Sequence, residues 1–143
     1  MSGAPPFVID TNIVSELTRA SPHPAVVAFL NRNADLLLSV IVLHELEFGI
    51  QCARDAGRRA KLQAFAIRLR SQFEGRIVDV DFPIAETAGK LRAIEKAKGR
   101  PLAELDAFIA ATALVKGATL VTRNTKDFAR LAIPLLNPWE TQE

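Results

Sequence analysis

The strand-sized apolar runs of this chain are apolar at successive positions. Phe7-Val8-Ile9 and Leu36-Leu37-Leu38 carry no polar residue on either side of the zigzag. A strand with one wet face alternates apolar and polar residues, so runs like these must be covered on both faces. Each is followed by residues with helical spacing. Strands alternating with helices, in a sheet buried on both sides, predict an α/β fold around a mostly parallel sheet.

Five strands are expected, over 7–9, 36–39, 76–80, 118–122 and 133–136. Between them the spacing predicts helices after Asp10, over 25–31, 40–54, 59–73, 83–98 and 102–116, and a short one from Asn124 to 129. Ser21-Pro22-His23-Pro24 breaks the first helix, and Gly57 separates the third from the fourth. Pro83 near the start of one helix and Gly99 past its end follow the usual asymmetry, and Gly117 closes the next. No repeat, low-complexity tract or linker divides the sequence. Its 143 residues therefore read as one domain, 1–143.

In parallel sheets of this kind, sites form at the carboxyl ends of strands. Asp10 closes the first strand there, where it serves either as a helix N-cap or as a site carboxylate. Glu45 has Ile41, Val42, Phe48, Gly49 and Cys52 as helical neighbours, so it is expected on a packed face, needing an arginine, hydrogen bonds or a metal. Asp106 shares its helix face with Ile109, Ala110 and Ala113, and the small alanines allow close approach to the sheet. Asp127 follows the fourth strand, in a position that also suits a capping loop. Together they bring four carboxylates from distant segments towards one sheet edge.

Like charges that close must take up a proton or share a cation. Composition limits which cation. One cysteine and two histidines rule out a multi-cysteine or three-histidine site. All-oxygen ligation suits Mg²⁺ or Mn²⁺, and a carboxylate cluster holding such ions serves phosphodiester hydrolysis. His44 and His23 are expected at the surface or in a turn, and Cys52 as a small core residue.

At these residues the sequence resembles PIN-domain proteins, specifically the VapC toxin family and its FitB-like branch. The matching stretches are Ile9-Asp10-Thr11-Asn12 with Ser15-Glu16, and Ser39 through His44-Glu45 to Gly49. They continue in Pro101-Leu102, Asp106 to Leu114, Leu120 to Phe128 and Leu136-Asn137-Pro138-Trp139. They span nearly the whole chain in the family's order. The resemblance implies a three-layer α/β/α fold and a Mg²⁺- or Mn²⁺-dependent endoribonuclease, the toxin of a type II toxin–antitoxin pair. It carries over Asp10, Glu45, Asp106 and Asp127 as metal-holding and catalytic acids, and Thr122 as a group orienting water or a carboxylate. Asn12, Arg123 and Asn124 become candidate substrate contacts. It further implies a homodimer and a small antitoxin that inserts a basic residue into the acidic pocket, and a larger toxin–antitoxin assembly on DNA.

The charge balance of 18 basic and 16 acidic residues, with a pI of about 9.0, permits a nucleic-acid partner without demanding one. Seven basic residues fall between Arg54 and Arg76 and five between Lys90 and Arg100. These are either solvated helix faces or surfaces that attract an RNA backbone. With eight Phe, one Trp and no Tyr, recognition would rest on RNA shape and backbone, and Trp139 reads as a packing residue. The longest nearly unbroken apolar stretch, 36–43, falls far short of the roughly 20 residues a membrane helix needs. Met1 to Pro6 lacks the basic and apolar segments of a signal peptide, so a cytoplasmic setting is the simplest expectation.

Two other readings stand beside the nuclease. An aspartate-nucleophile phosphatase would use Asp10, although Asn12 occupies the position of its second acid. A non-catalytic interaction module would use the acidic pocket only to receive a basic partner.

Overall fold

The computed structural model describes residues 5–140, so the N-terminal stretch read for a leader lies mostly outside them. Five strands form one sheet: β1 (Phe7–Ile9), β2 (Leu36–Ser39), β3 (Ile77–Val78), β4 (Thr119–Val121) and β5 (Leu135–Leu136). Their spatial order is β3-β2-β1-β4-β5, and every pairing is parallel. Ile9 lies beside Leu38 on one side and Val121 on the other. The strand order reverses between β1 and β4, which makes the carboxyl end of that pair a topological switch point.

Seven helices cover the sheet in a three-layer α/β/α arrangement: α1 (Thr11–Leu17), α2 (Pro24–Arg32), α3 (Val40–Cys52), α4 (Ala56–Gln72), α5 (Phe82–Ala97), α6 (Glu104–Lys116) and α7 (Thr125–Phe128). Val8, Ile9, Leu38 and Leu120 are fully buried, as their uninterrupted apolar runs require. Helix α6 presents buried Ala107, Ala110, Ala111 and Ala113 and packs on β1, β4 and α5. These small side chains let its backbone approach the sheet while Ile109 fills the space between. Among the described residues, no helix is long and apolar enough to cross a membrane.

Four expectations are corrected. Gly57 lies in the first turn of α4, because Asp55 accepts the Arg58 N–H at 2.7 Å and caps the helix ahead of the glycine. Helix α6 begins at Glu104; Leu102 is instead packed into the core outside it. Cys52 is exposed, since the end of α3 borders an open groove. Phe48 is also exposed, at 66%, so the face of α3 that carries Glu45 borders that groove, although Val42 beneath it is buried.

Candidate active site

Asp10 stands where β1 ends and α1 begins, and the backbone fixes it first. Its N–H donates to the Val121 carbonyl at 2.9 Å, continuing the sheet ladder one step past the last strand residue. Its Oδ1 accepts the Thr11 N–H at 2.7 Å, so Asp10 is indeed the N-cap of α1. Its Oδ2 accepts the Thr122 hydroxyl at 2.8 Å. The cap and the site carboxylate are thus one residue in two roles.

Thr122 lies just beyond the end of β4, fully buried, and its hydroxyl is a junction. It donates to Asp10 and accepts from the Asn124 N–H at 3.0 Å and the Asn12 side-chain amide at 3.3 Å. Asn12 also reaches Asp10 Oδ2 at 3.4 Å and accepts the Arg123 N–H at 3.2 Å. These bonds lock the loop after β4 to the first turn of α1. Asn124 occupies the N-cap position of α7 without a side-chain cap bond, and that helix stops at Phe128. The Arg123 guanidinium lies over Trp139, 4.8 Å from the ring centroid.

Glu45 projects from α3, half-buried, and accepts the hydroxyl of Thr11. It forms no ion pair among the described residues. Asp106 sits half-buried in the first turn of α6, and Asp127 is exposed in the first turn of α7.

The electrostatics link all four acids. Burial pushes Asp106 up to about 6, and the charges of Asp10, Asp127 and Glu45 push in the same direction. Burial also raises Asp10, with Glu45 and Asp127 adding to it, while hydrogen bonds from Thr122 and Thr11 pull it back. The sheet edge therefore gathers negative charge without a basic side chain to neutralise it. Among the described residues, no three His, Cys, Asp or Glu side chains stand close enough to enclose a metal ion as placed. The donor set fits a hard divalent cation in chemistry, being all oxygen and carrying unrelieved charge. Closing on one would draw the carboxylates nearer together.

Sequence reasoning passed over three residues beside this cluster. Thr11 holds Glu45, but its hydroxyl gives no signal in the sequence beyond following Asp10. Glu16 is buried on α1, three positions after Ile13 on the same inward face. The His23 N–H at 2.8 Å is the main cause holding its carboxyl below the usual range; burial opposes that shift, and the charges of Arg19 and Arg123 assist it. Glu95, buried on α5, reads in sequence as part of a solvated charge run.

A groove of about 280 Å³ opens beside the acids, between α1, α3 and α4. Thr11 and Glu45 line it at one side, Arg54 and Arg58 at another, and Val14 and Leu62 supply apolar wall. Arg54 and Arg58 form no ion pair among the described residues. Other members of the same basic run are spent internally. Arg59 donates to the Ala53 carbonyl at 2.8 Å at the end of α3, and Arg76 donates to the Ala34 and Leu36 carbonyls at 3.2 Å.

Comparison with known proteins adds a family to this geometry. The PIN domain family model matches residues 7–134. The chain is 35% identical to VapC ribonuclease Y4jK of Sinorhizobium fredii, over 94% of this chain and 98% of that protein. It is 33% identical to Toxin FitB of Neisseria gonorrhoeae, over 93% of this chain and 98% of that protein. The solved structure of FitAB bound to an IR36 DNA fragment superposes with a TM-score of 0.86 at 30% identity, covering 96% of this chain and 98% of that one.

Proposed function

The chain belongs to the PIN domain family, in the branch that holds VapC and FitB, and from this we propose that it is a Mg²⁺- or Mn²⁺-dependent endoribonuclease acting as a toxin. The observation that carries the reading is the unrelieved charge at the β1/β4 switch point, where three other carboxylates help push Asp106 up to about 6. Asp10, Glu45, Asp106 and Asp127 would hold the ion. A bound Mg²⁺ or Mn²⁺ supplies Lewis acidity, which lowers the pKa of an attacking water and offsets charge on the phosphate. The chain's own groups do the positioning. Thr122 and Asn12 fix the Asp10 carboxylate, Thr11 fixes Glu45, and α6 carries Asp106 to the edge.

The groove supports a nucleic-acid backbone as substrate. Arg54 and Arg58, free of ion pairs among the described residues, would take backbone phosphates flanking the scissile bond. Asn12, Asn124 and Arg123 line the loop facing the cluster as further candidate contacts. A small antitoxin inserting a basic residue would match the same negative pocket, and FitAB bound to a DNA fragment is the precedent for a larger assembly on DNA; the toxin itself would be a homodimer.

Geometry argues against the phosphatase alternative. Asn12 stands where the second acid would be, and its side chain is bonded to the Arg123 N–H and the Thr122 hydroxyl, so Asp10 lacks the acid partner of a nucleophile-plus-acid pair. The deciding assay incubates partner-free protein with total RNA in Mg²⁺ or Mn²⁺, then with EDTA. Cleavage that persists in EDTA, or in Asp10→Asn and Asp106→Asn, sinks the proposal. A folded wild type that binds a basic peptide yet never cleaves RNA would favour the interaction module.

A further inference from the structure

Among the described residues, five helices begin with a side-chain cap: α1 at Asp10, α2 at His23, α3 at Ser39, α4 at Asp55 and α5 at Asp81. Two do not. Helix α6 starts after Ala103 and α7 after Asn124, and neither receives a side-chain cap bond. These are the two helices whose first turns carry Asp106 and Asp127. With no side-chain cap at those two starts, contacts from the flanking segments help fix where the acids stand.

Glu95 gathers those contacts. It lies on the inward face of α5, only 2% exposed. Arg130 Nε donates to its Oε1 at 2.7 Å, and Arg100 Nε approaches the same oxygen at 3.3 Å as an ion pair without a hydrogen bond. Burial works against the charged form, but the hydrogen bond from Arg130 and the charges of Arg100, Arg130 and Lys98 hold the carboxyl below its ordinary value. Arg100 lies in the segment that runs into α6, and its N–H also donates to the Glu95 carbonyl at 2.9 Å. Arg130 follows α7 directly, three residues after Asp127. One buried oxygen therefore ties the approach to one acid-bearing helix and the exit from the other.

A buried carboxylate is costly unless it is paired, and Glu95 finds both of its cations on the segments that flank the two acid-bearing helices, with the arginines themselves 41% and 31% exposed. We propose that Glu95 is a positioning residue: through Arg100 and Arg130 it sets the placement of Asp106 and Asp127 at the sheet edge. This rests on the nuclease reading of those acids, and the test below separates the two.

Amide hydrogen exchange is compared in the full chain for wild type, Glu95→Gln, Arg100→Gln and Arg130→Gln, alongside single-turnover and steady-state RNA cleavage. Arg100→Gln should speed exchange locally at 104–108 and Arg130→Gln at 125–128, with Glu95→Gln affecting both. The kcat of Glu95→Gln should fall about tenfold or more with KM within about twofold, the pattern of lost support behind reacting groups. Unchanged exchange in both segments, uniformly faster exchange throughout, or an unchanged kcat would overturn the proposal. If Glu95→Gln does not fold, the two arginine variants, each leaving Glu95 one partner, decide it alone. If wild type cleaves no RNA, the nuclease reading fails, and the exchange pattern still decides whether Glu95 positions the two segments.

Discussion

Thr122 and Asp10 stand at the carboxyl ends of neighbouring parallel strands, joined by a 2.8 Å hydrogen bond from the threonine hydroxyl to Oδ2. Both are buried, so the bond forms away from competing water. It fixes the first acid of the cluster and ties the β4–α7 loop, through the Asn124 N–H, to the same point. A single hydroxyl thereby couples the placement of Asp10 to the segment that carries Asp127.

Replacing that hydroxyl with a methyl group tests the coupling. Thr122→Val keeps the volume but leaves the Asp10 carboxylate and the Asn124 N–H short of a partner. A destabilisation of about 1–3 kcal/mol is expected, the usual cost of an orphaned buried polar group. Urea unfolding measures it, and RNA cleavage should fall with it. A variant as stable and active as wild type would show that the bond is incidental.

The metal-free protein should lose stability as pH rises from about 4 through 6. Burial lifts the Asp106 carboxyl from its ordinary 3.8 to about 6 in the folded protein. The folded form thus binds a proton more readily than the unfolded form, and the favourable contribution is present below 3.8 and lost as pH passes 6. Because Asp106 is half-exposed, solvent screening reduces this contribution to about 1 kcal/mol. Thermal melts in EDTA across that window should show the slope in wild type and a flatter profile in Asp106→Asn. Equal slopes would contradict it.

Glu45→Gln should raise the Tm of the metal-free protein by a few degrees, because one of the charges pressing on Asp10 and Asp106 disappears while the Thr11 hydroxyl keeps an acceptor. Calorimetry in EDTA gives the answer. A clear fall in Tm would instead mean that the charged carboxylate's hydrogen bond from Thr11 outweighs the repulsion.

Arg54→Ala and Arg58→Ala should weaken RNA binding without slowing the chemical step. Each lost phosphate contact reduces the slope of log affinity against log salt by about one, or slightly less for single strands. Anisotropy titrations over a salt series in an Asp10→Asn background read this directly. Arg76→Ala offers the contrast: its guanidinium is held by backbone carbonyls, so it should lower stability and leave the salt slope alone.

The sequence made the parallel sheet and the acid at the end of β1 legible, because uninterrupted apolar runs and a terminal aspartate are local signals. Asp106 was visible through its alanine-rich face. Other features depended on contacts distant in the chain. Cys52 and Phe48 look like core residues by spacing, yet Cys52 borders a groove between α1, α3 and α4 and Phe48 is exposed, neither of which periodicity encodes. Glu95 stands among lysines at 96 and 98 and reads as solvated, although the face it shares with Ala88 and Ile84 points inward. Thr11 gains its role from Glu45, 34 residues away. Arg59 and Arg76 belong to a basic run that suggests one surface, but their guanidinium groups are taken up by backbone carbonyls.

On the proposed reading, Asp10, Glu45, Asp106 and Asp127 would hold the divalent cation that RNA cleavage requires. Isothermal titration of Mn²⁺ into EDTA-stripped wild type and Asp10→Asn, paired with cleavage of the same RNA by both, tests it most directly. The account predicts saturable Mn²⁺ binding and cleavage in wild type, with both lost or weakened at least tenfold in a folded Asp10→Asn. Undiminished cleavage by Asp10→Asn, or cleavage by wild type stripped of metal, would contradict it.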